Sequence, residues 1–541
     1  MFPLRSESGR LPAIRKPSPL TVNAHLSRLG TATLALSLIF SARVAGAAVA
    51  SGDFDQRLKS FAIEKEAQAR TLAAEHKVKV APEVWEFFKT ARAGDWKSVT
   101  NQFHKLSKRL GQADGAKHDP SVGSPVWQTV LEVDLGAEQM LELGPRFVEL
   151  VVKDLTNGIT EGAVLFGGTD VGRGLSTVFS ASHIRGEPFF TVTQNALADR
   201  CHLEYLQSTY GKTLKMLTEA DSATAFTTYV EDARRRLEHD TNSPNESRQI
   251  RPGEDVRFDQ ASGRVMVSGQ VAVMTINGLL AKAIFDRNPD RAFFVEESFP
   301  LDWMFPHLTP HGAILKLNRK PVEKLNDVVI AKDRAFWSSR TKQLLGLDFA
   351  PPTSIKDVCA FLTRIHVQRD LKGFKGDPEF VRQQPAHAVY AKLRCAVAGV
   401  YFWRINETGK QGDLPGQQRM LAEADHGFLQ AFALCPHSPE VVFRYTNLLI
   451  SLGRLDDALL AANLAGQLSP DNAAFKSLKD QLKEMKDLER KANPVPPARP
   501  CGGEPNGQRA FQPLAWPHST ADRPQNPLPK DCHAPLSPAE T

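Results

Sequence analysis

The segment Glu161-Gly-Ala-Val-Leu-Phe-Gly-Gly-Thr-Asp170-Val-Gly-Arg-Gly174 limits what this chain can fold into more than any other. Ala163 to Phe166 is apolar without alternation, so a strand there must be covered on both faces. Gly167 and Gly168 end the run. After Gly172-Arg173-Gly174, the residues Leu175, Val178 and Phe179 recur at helical spacing. The segment therefore reads as buried strand, tight loop and helix. In open α/β sheets, loops at the carboxyl ends of strands are where ligands bind. Glycines let backbone approach a ligand closely, and free amides at a helix start favour anions. On this reading Gly167, Gly168, Thr169, Asp170 and Arg173 form a ligand-binding loop, with Asp170 at the strand tip and Arg173 at the helix mouth. The competing reading is a tight turn with Asp170 capping the helix. No Gly-Lys-Ser/Thr follows, so the loop is not a P-loop.

Further strands and helices alternate downstream. Pro188 to Asn195 predicts a second strand, running into a helix over Ala196 to Leu206. Glu219 to Gly263 reads as hydrophilic helix and loop. Arg264 to Ser268 predicts a short strand, Val271 to Phe285 a helix, and Ala292 to Glu297 another buried strand. A short helix over Leu301 to Leu308 and a strand over Ala313 to Asn318 close the series. The fold class expected is α/β: a partly parallel sheet domain over residues 125–330, flanked by helical segments.

Two more clusters sit at expected strand ends. Gln194, Asn195 and Asp199 follow the second strand, where amide and carboxylate suit a hydroxyl-rich ligand; the alternative for Asn195 is a helix cap. Glu296 and Glu297, with Asp302, bracket the third strand end. Paired carboxylates there suit acid/base work, against the plainer reading of a solvated loop. His307 and His311 could join a metal with Asp170 or Glu297. Pro310 breaks the helix that would align them, so no metal site is assigned, and no motif calls for a cofactor.

The chain begins with a different kind of signal. Up to Arg28 it is polar and basic, with Arg5, Arg10, Arg15, Lys16 and Arg28 against one acid, Glu7. An apolar run from Thr31 to Ala42 follows, then small residues at Ala45-Gly-Ala47 and Ala48-Val-Ala50. Positive start, short apolar run and small-residue site describe a secretory signal peptide over residues 1–50. An uncleaved signal anchor is the rival, because Arg43 interrupts the run. The run is shorter than the ~20 residues that span a bilayer comfortably. The expected location is the periplasm or cell envelope, with membrane contact only where the leader stays uncleaved. The net charge of +6 comes from basic residues that neighbour acids, as in Glu231-Asp-Ala-Arg-Arg-Arg-Leu-Glu238, so nucleic-acid binding is not expected. The six cysteines lack the spacing of a zinc or redox motif. Cys359, Cys395 and Cys435 read as core residues, while Cys501 and Cys532 could pair in the tail.

Helical patterns fill the rest. Residues 51–124 read as an N-terminal helical segment. Within it Val84, Phe87, Phe88, Trp96, Val99 and Phe103 line one face of a hairpin that turns at Gly94-Asp95 and resembles a tetratricopeptide unit. Residues 331–492 read as a second helical domain. From Pro439, Gly453 falls at the turn, Ala458 and Ala465 at small positions and Pro470 at the close of a roughly 34-residue tetratricopeptide-like repeat. Residues 493–541 are rich in proline, glycine and polar residues and are expected to be disordered.

Three stretches carry a resemblance: Glu161 to Asp170, Pro188 to Asp199, and Phe294 to Trp303 with Pro310-His-Gly-Ala-Ile-Leu-Lys-Leu-Asn-Arg319. Together they look like an uncharacterised group of bacterial tetratricopeptide-containing proteins over about residues 150 to 480. More distantly, they are similar to the soluble C-terminal half of bacterial protein O-mannosyltransferase-like membrane proteins. The multi-pass half that would hold the transferase site is lacking, so the resemblance implies fold and envelope context and no catalytic residue. The expected function is a binding or scaffold protein of the envelope, glycan-related, with a protein partner on the repeats and a glycan or other polar small molecule as ligand. The alternative is an enzyme acting on a sugar or phosphate-containing substrate at the Gly167–Arg173 loop.

Overall fold

The apolar runs of the central region meet in one small mixed sheet, which is surrounded by far more helix than strand. The computed structural model describes residues 51–110, 119–168, 171–180, 189–261, 263–296, 300–349 and 353–492. The expected leader and tail, with Cys501 and Cys532, lie outside the described residues.

The five strands of the sheet are β1 (Ala163–Gly167), β2 (Phe189–Thr193), β5 (Phe293–Glu296), β6 (Leu308–His311) and β7 (Ile314–Leu317), in the spatial order β2-β1-β5-β7-β6. β1 runs parallel to both β2 and β5, while β7 is antiparallel to β5 and to β6. Every residue of β1, β2 and β5 is buried, as their unbroken apolar runs require. The helix α6 (Val171–Phe179) joins β1 to β2. The chain then leaves the sheet for a long excursion and returns as β5 on the other side of β1. β1 and β5 thus flank the point where the strand order reverses, which is where open sheets place ligands.

Two strands depart from the expectation. Arg264–Ser268 is not part of this sheet: as β4 it pairs antiparallel with β3 (Asp255–Asp259), in a stretch read as helix and loop. The hairpin is largely exposed, and its polar composition hid it. Of β6 only Leu308 falls within an expected element, the short helix over Leu301 to Leu308. The strand lies at the edge of the sheet, where Pro310 costs no needed ladder hydrogen bond.

Helices pack against β1, β2, β6 and β7 of this sheet. The first part of the chain, α1 (Ser51–Glu75), α2 (Pro82–Ala93) and α3 (Trp96–Ser107), does not stand apart from the α/β region. α1 packs on α4 (Val126–Glu142) and α6, and Phe103 stacks on Trp127 with ring centroids 5.1 Å apart. Lys65 of α1 is buried against Glu132 of α4 at 2.6 Å and the Tyr205 hydroxyl at 2.7 Å. α5 (Gly144–Thr156), α7 (Arg200–Tyr210), α8 (Glu219–Asn242) and α9 (Gln270–Arg287) complete the middle region.

The later helices are α10 (Asp327–Leu345), α11 (Ile355–Leu362), α12 (Pro378–Arg382), α13 (Gln384–Lys410), α14 (Leu414–Leu434), α15 (Pro439–Ser451), α16 (Leu455–Leu468) and α17 (Ala473–Ala492). α13 and α14 form the largest helix pair. α15 and α16 turn on Gly453, whose φ of 69° suits glycine, and Ala458 and Ala465 are buried. Burial raises the thiols of Cys359, Cys395 and Cys435 to about 12, so these are inert core residues. Among the described residues, no helix is long and apolar enough to cross a membrane.

Candidate functional site at the strand ends

Parallel pairing puts three residues side by side where β2, β1 and β5 end. Gly167 is level with Thr193 of β2 on one side and with Glu296 of β5 on the other. At a strand spacing of ~4.8 Å, the flanking residues stand about 10 Å apart with a glycine between them. Gly168, the next residue, is buried.

The side chains at this level are polar and nearly inaccessible. Glu296 is 1% exposed, and the Lys392 ammonium of α13 donates to its Oε1 at 2.7 Å. The solvated loop expected for Glu296 is therefore corrected: the residue is a buried strand end paired across 96 residues of sequence. Gln194 opens the 3-10 turn Gln194–Ala196 and is 0% exposed, yet among the described residues neither Oε1 nor Nε2 has a hydrogen-bond partner. The Thr193 hydroxyl is likewise buried and without a partner among the described residues. Leaving such a group unbonded costs roughly 1–3 kcal/mol.

The turn after β2 is held from α9. Asn277 is fully buried; its Nδ2 donates to the Asn195 carbonyl at 2.9 Å, and its Oδ1 accepts from the Ala198 amide at 2.7 Å. Asn195 is thus not the helix cap. That role falls to Asp199, whose carboxylate accepts the Cys201 amide at 2.8 Å at the start of α7. Asp199 was read as a ligand-binding candidate, and the cap gives it a structural task instead.

Other candidates lie elsewhere. Asp302 is exposed on the 3-10 turn Asp302–His307. His307 and His311 occupy opposite ends of the β6 region. The Nδ1 of His307 bonds the Asn318 carbonyl at 2.8 Å, while His311 packs on Phe294 with ring centroids 5.2 Å apart. Burial lowers the His311 pKa below its ordinary value. Among the described residues, no three metal-binding side chains gather. Thr169, Asp170 and Glu297 lie outside the described residues, as does the side chain of Arg173. Sequence reading missed Thr193, Lys392 and Asn277. Lys392 and Arg394 interrupt the otherwise apolar run from Ala388 to Trp403, a pattern that signals buried partners.

No protein-family model, curated protein or solved structure matches the chain.

Proposed function

We propose that the chain is a binding protein in which a helical scaffold frames a sheet-end site for a neutral, hydrogen-bonding small molecule of the hydroxyl-rich kind that sugars exemplify. One observation carries this reading: the fully buried Gln194 amide and the Thr193 hydroxyl, two groups that both donate and accept, have no partner among the described residues. Glu296 and Lys392 offset each other's charge, so a neutral ligand is favoured. Asp199 is engaged as a cap, and Asp302 is exposed.

The wider setting belongs to the same proposal. The basic, short-apolar leader supports export to the envelope, and the α15–α16 pair with its small buried positions supports a tetratricopeptide-like unit that takes a protein partner.

A thermal-shift screen of the full chain against sugars, nucleotide sugars, inorganic phosphate and divalent metals tests the site, with Gln194→Leu alongside. A ligand at a hundredfold excess over its dissociation constant adds about 2.7 kcal/mol. The expected result is a sugar-class hit in the parent that vanishes in Gln194→Leu. A hit that persists in the variant, or a screen without any sugar-class hit, removes the site from these residues.

A further inference from the structure

A second polar feature lies away from the strand ends, where the start of α14 meets α13 and the loop before α10. A small pocket there is lined by Arg404 and Thr408 of α13, Gly416 and Arg419 of α14, and Glu323 and Lys324 of the loop. Arg404 is the unusual member. It is 3% exposed, and its guanidinium donates only to carbonyls: Nη1 to Val322 at 2.8 Å and Nη2 to Leu308 at 3.2 Å. Its Nε has no partner, and it forms no ion pair among the described residues. A guanidinium has five N–H donors, so most of its capacity is unused. A buried charge without a counter-charge costs several kcal/mol, and chains offset this with a paired carboxylate or a bound anion. Burial pulls the Arg404 pKa down to about 10, still far above neutrality, so the group remains a cation.

The other two cations on the lining are compensated. Lys324 reaches Asp413 at 3.0 Å, and Arg419 pairs with Asp327. Both stand at the rim, 67% and 39% exposed in their side chains. Asp413 also caps α14 by accepting the Gly416 amide at 2.9 Å, so that helix end is already served by the chain itself. Arg404 has no such contact pair among the described residues; the Glu407 carboxylate acts on it only from beyond ion-pair distance.

We propose that this pocket binds a small oxyanion, a phosphate or carboxylate group, with Arg404 as the buried anchor and Lys324 and Arg419 as its rim. Guanidinium forks match both oxyanions, and Arg404 brings the unspent donors. Glu323, the lining carboxylate, opposes the anion and sets a ceiling on affinity.

The test is calorimetric titration of the full chain with inorganic phosphate and, separately, acetate, at constant ionic strength. Saturable binding of either is expected: phosphate alone assigns a phosphate group, acetate alone a carboxylate, both the shared chemistry. Saturation by neither overturns the proposal. Arg404→Met is expected to abolish binding while keeping a cooperative melt, and binding retained in that variant overturns the assignment. Should Arg404→Met fail to fold, the exposed double variant Lys324→Ala/Arg419→Ala carries the test. It should weaken binding by about tenfold, and an unchanged affinity counts against the site. Glu323→Gln should tighten binding roughly threefold, and weaker binding would argue that Glu323 builds the pocket instead of opposing its ligand.

Discussion

The turn after β2 and the middle of α13 both bury polar side chains, and they bond them to different degrees. Around α13, Arg394 and Asp333 are fully buried and meet at 3.0 Å. The Tyr401 hydroxyl donates to the same carboxylate at 3.0 Å, and Arg394 Nε donates to Gln430 at 2.8 Å. At the strand ends, Gln194 and Thr193 are buried as deeply with their side-chain polar atoms unbonded. Every member of the α13 network has at least one partner, although Arg394 Nη2 and Gln430 Nε2 stay unbonded among the described residues, and such pairing fixes which helices pack together. An unsatisfied pair destabilises the chain unless something else completes it. Depth of burial alone therefore does not separate architecture from site; the count of partners does.

Removing one member of the α13 network should have the largest effect. Asp333→Ala leaves the Arg394 guanidinium buried alone and is expected to lower unfolding free energy by about 3–5 kcal/mol in urea titration. A loss below about 1 kcal/mol would mean the network carries little, and the contrast with the strand ends would collapse.

Acid should act next, and on the same helical half. The rings of His366 and His387 lie 5.3 Å apart, and those of His387 and His437 6.2 Å. Burial lowers all three, to about 4 for His366 and about 3 for His387. A base whose folded pKa lies below its unfolded value of about 6.5 leaves stability intact above that pH, and takes it away as pH falls toward the folded value. His366 alone should cost about 2 kcal/mol between pH 7.5 and 5. Denaturant midpoints across that range should fall less steeply in His366→Gln, and equal slopes would sink the idea.

The smallest effect is expected where the polar atoms are unpaired. Gln194→Leu deletes an unsatisfied amide and should leave stability within about 1 kcal/mol of the parent, or raise it. Destabilisation beyond ~2 kcal/mol would show that the amide is bonded in the folded chain and would erase the comparison from the other side.

The sequence made the paired part of the fold legible wherever apolar runs were continuous. Ala163 to Phe166, Phe189 to Val192 and Phe293 to Val295 declare buried parallel strands without help from distant residues. β3 escaped because Val256 and Phe258 alternate with charged residues on an exposed hairpin, and β6 because Pro310 reads as a breaker except at an edge. The site was half legible. Gln194 and Glu296 were placed at strand ends by local pattern, but their surroundings depend on register and on α13. Nothing near Glu296 in sequence announces Lys392, and nothing near Asn195 announces Asn277. Likewise the α/β description fits the centre, while the chain as a whole is mostly helical, because its long inter-strand excursion and C-terminal half contribute few strands.

The helix α13 has a consequence for how this chain tolerates change in length. At 27 residues and 1.5 Å per residue it runs for about 40 Å. Along it, Tyr390 holds Asp154 of α5, Lys392 holds Glu296 of β5, Arg394 holds Asp333 of α10, and Arg404 holds carbonyls before α10 and in β6. These contacts are keyed to one angular phase of the helix. A single codon inserted between Tyr390 and Arg394 would turn every later side chain by about 100° and detach the downstream anchors together. The same codon placed at Gln411–Gly412, beyond the last anchor, would lengthen a turn and leave the phase intact. α13 is the part of this chain where reading frame in three dimensions matters as much as residue identity.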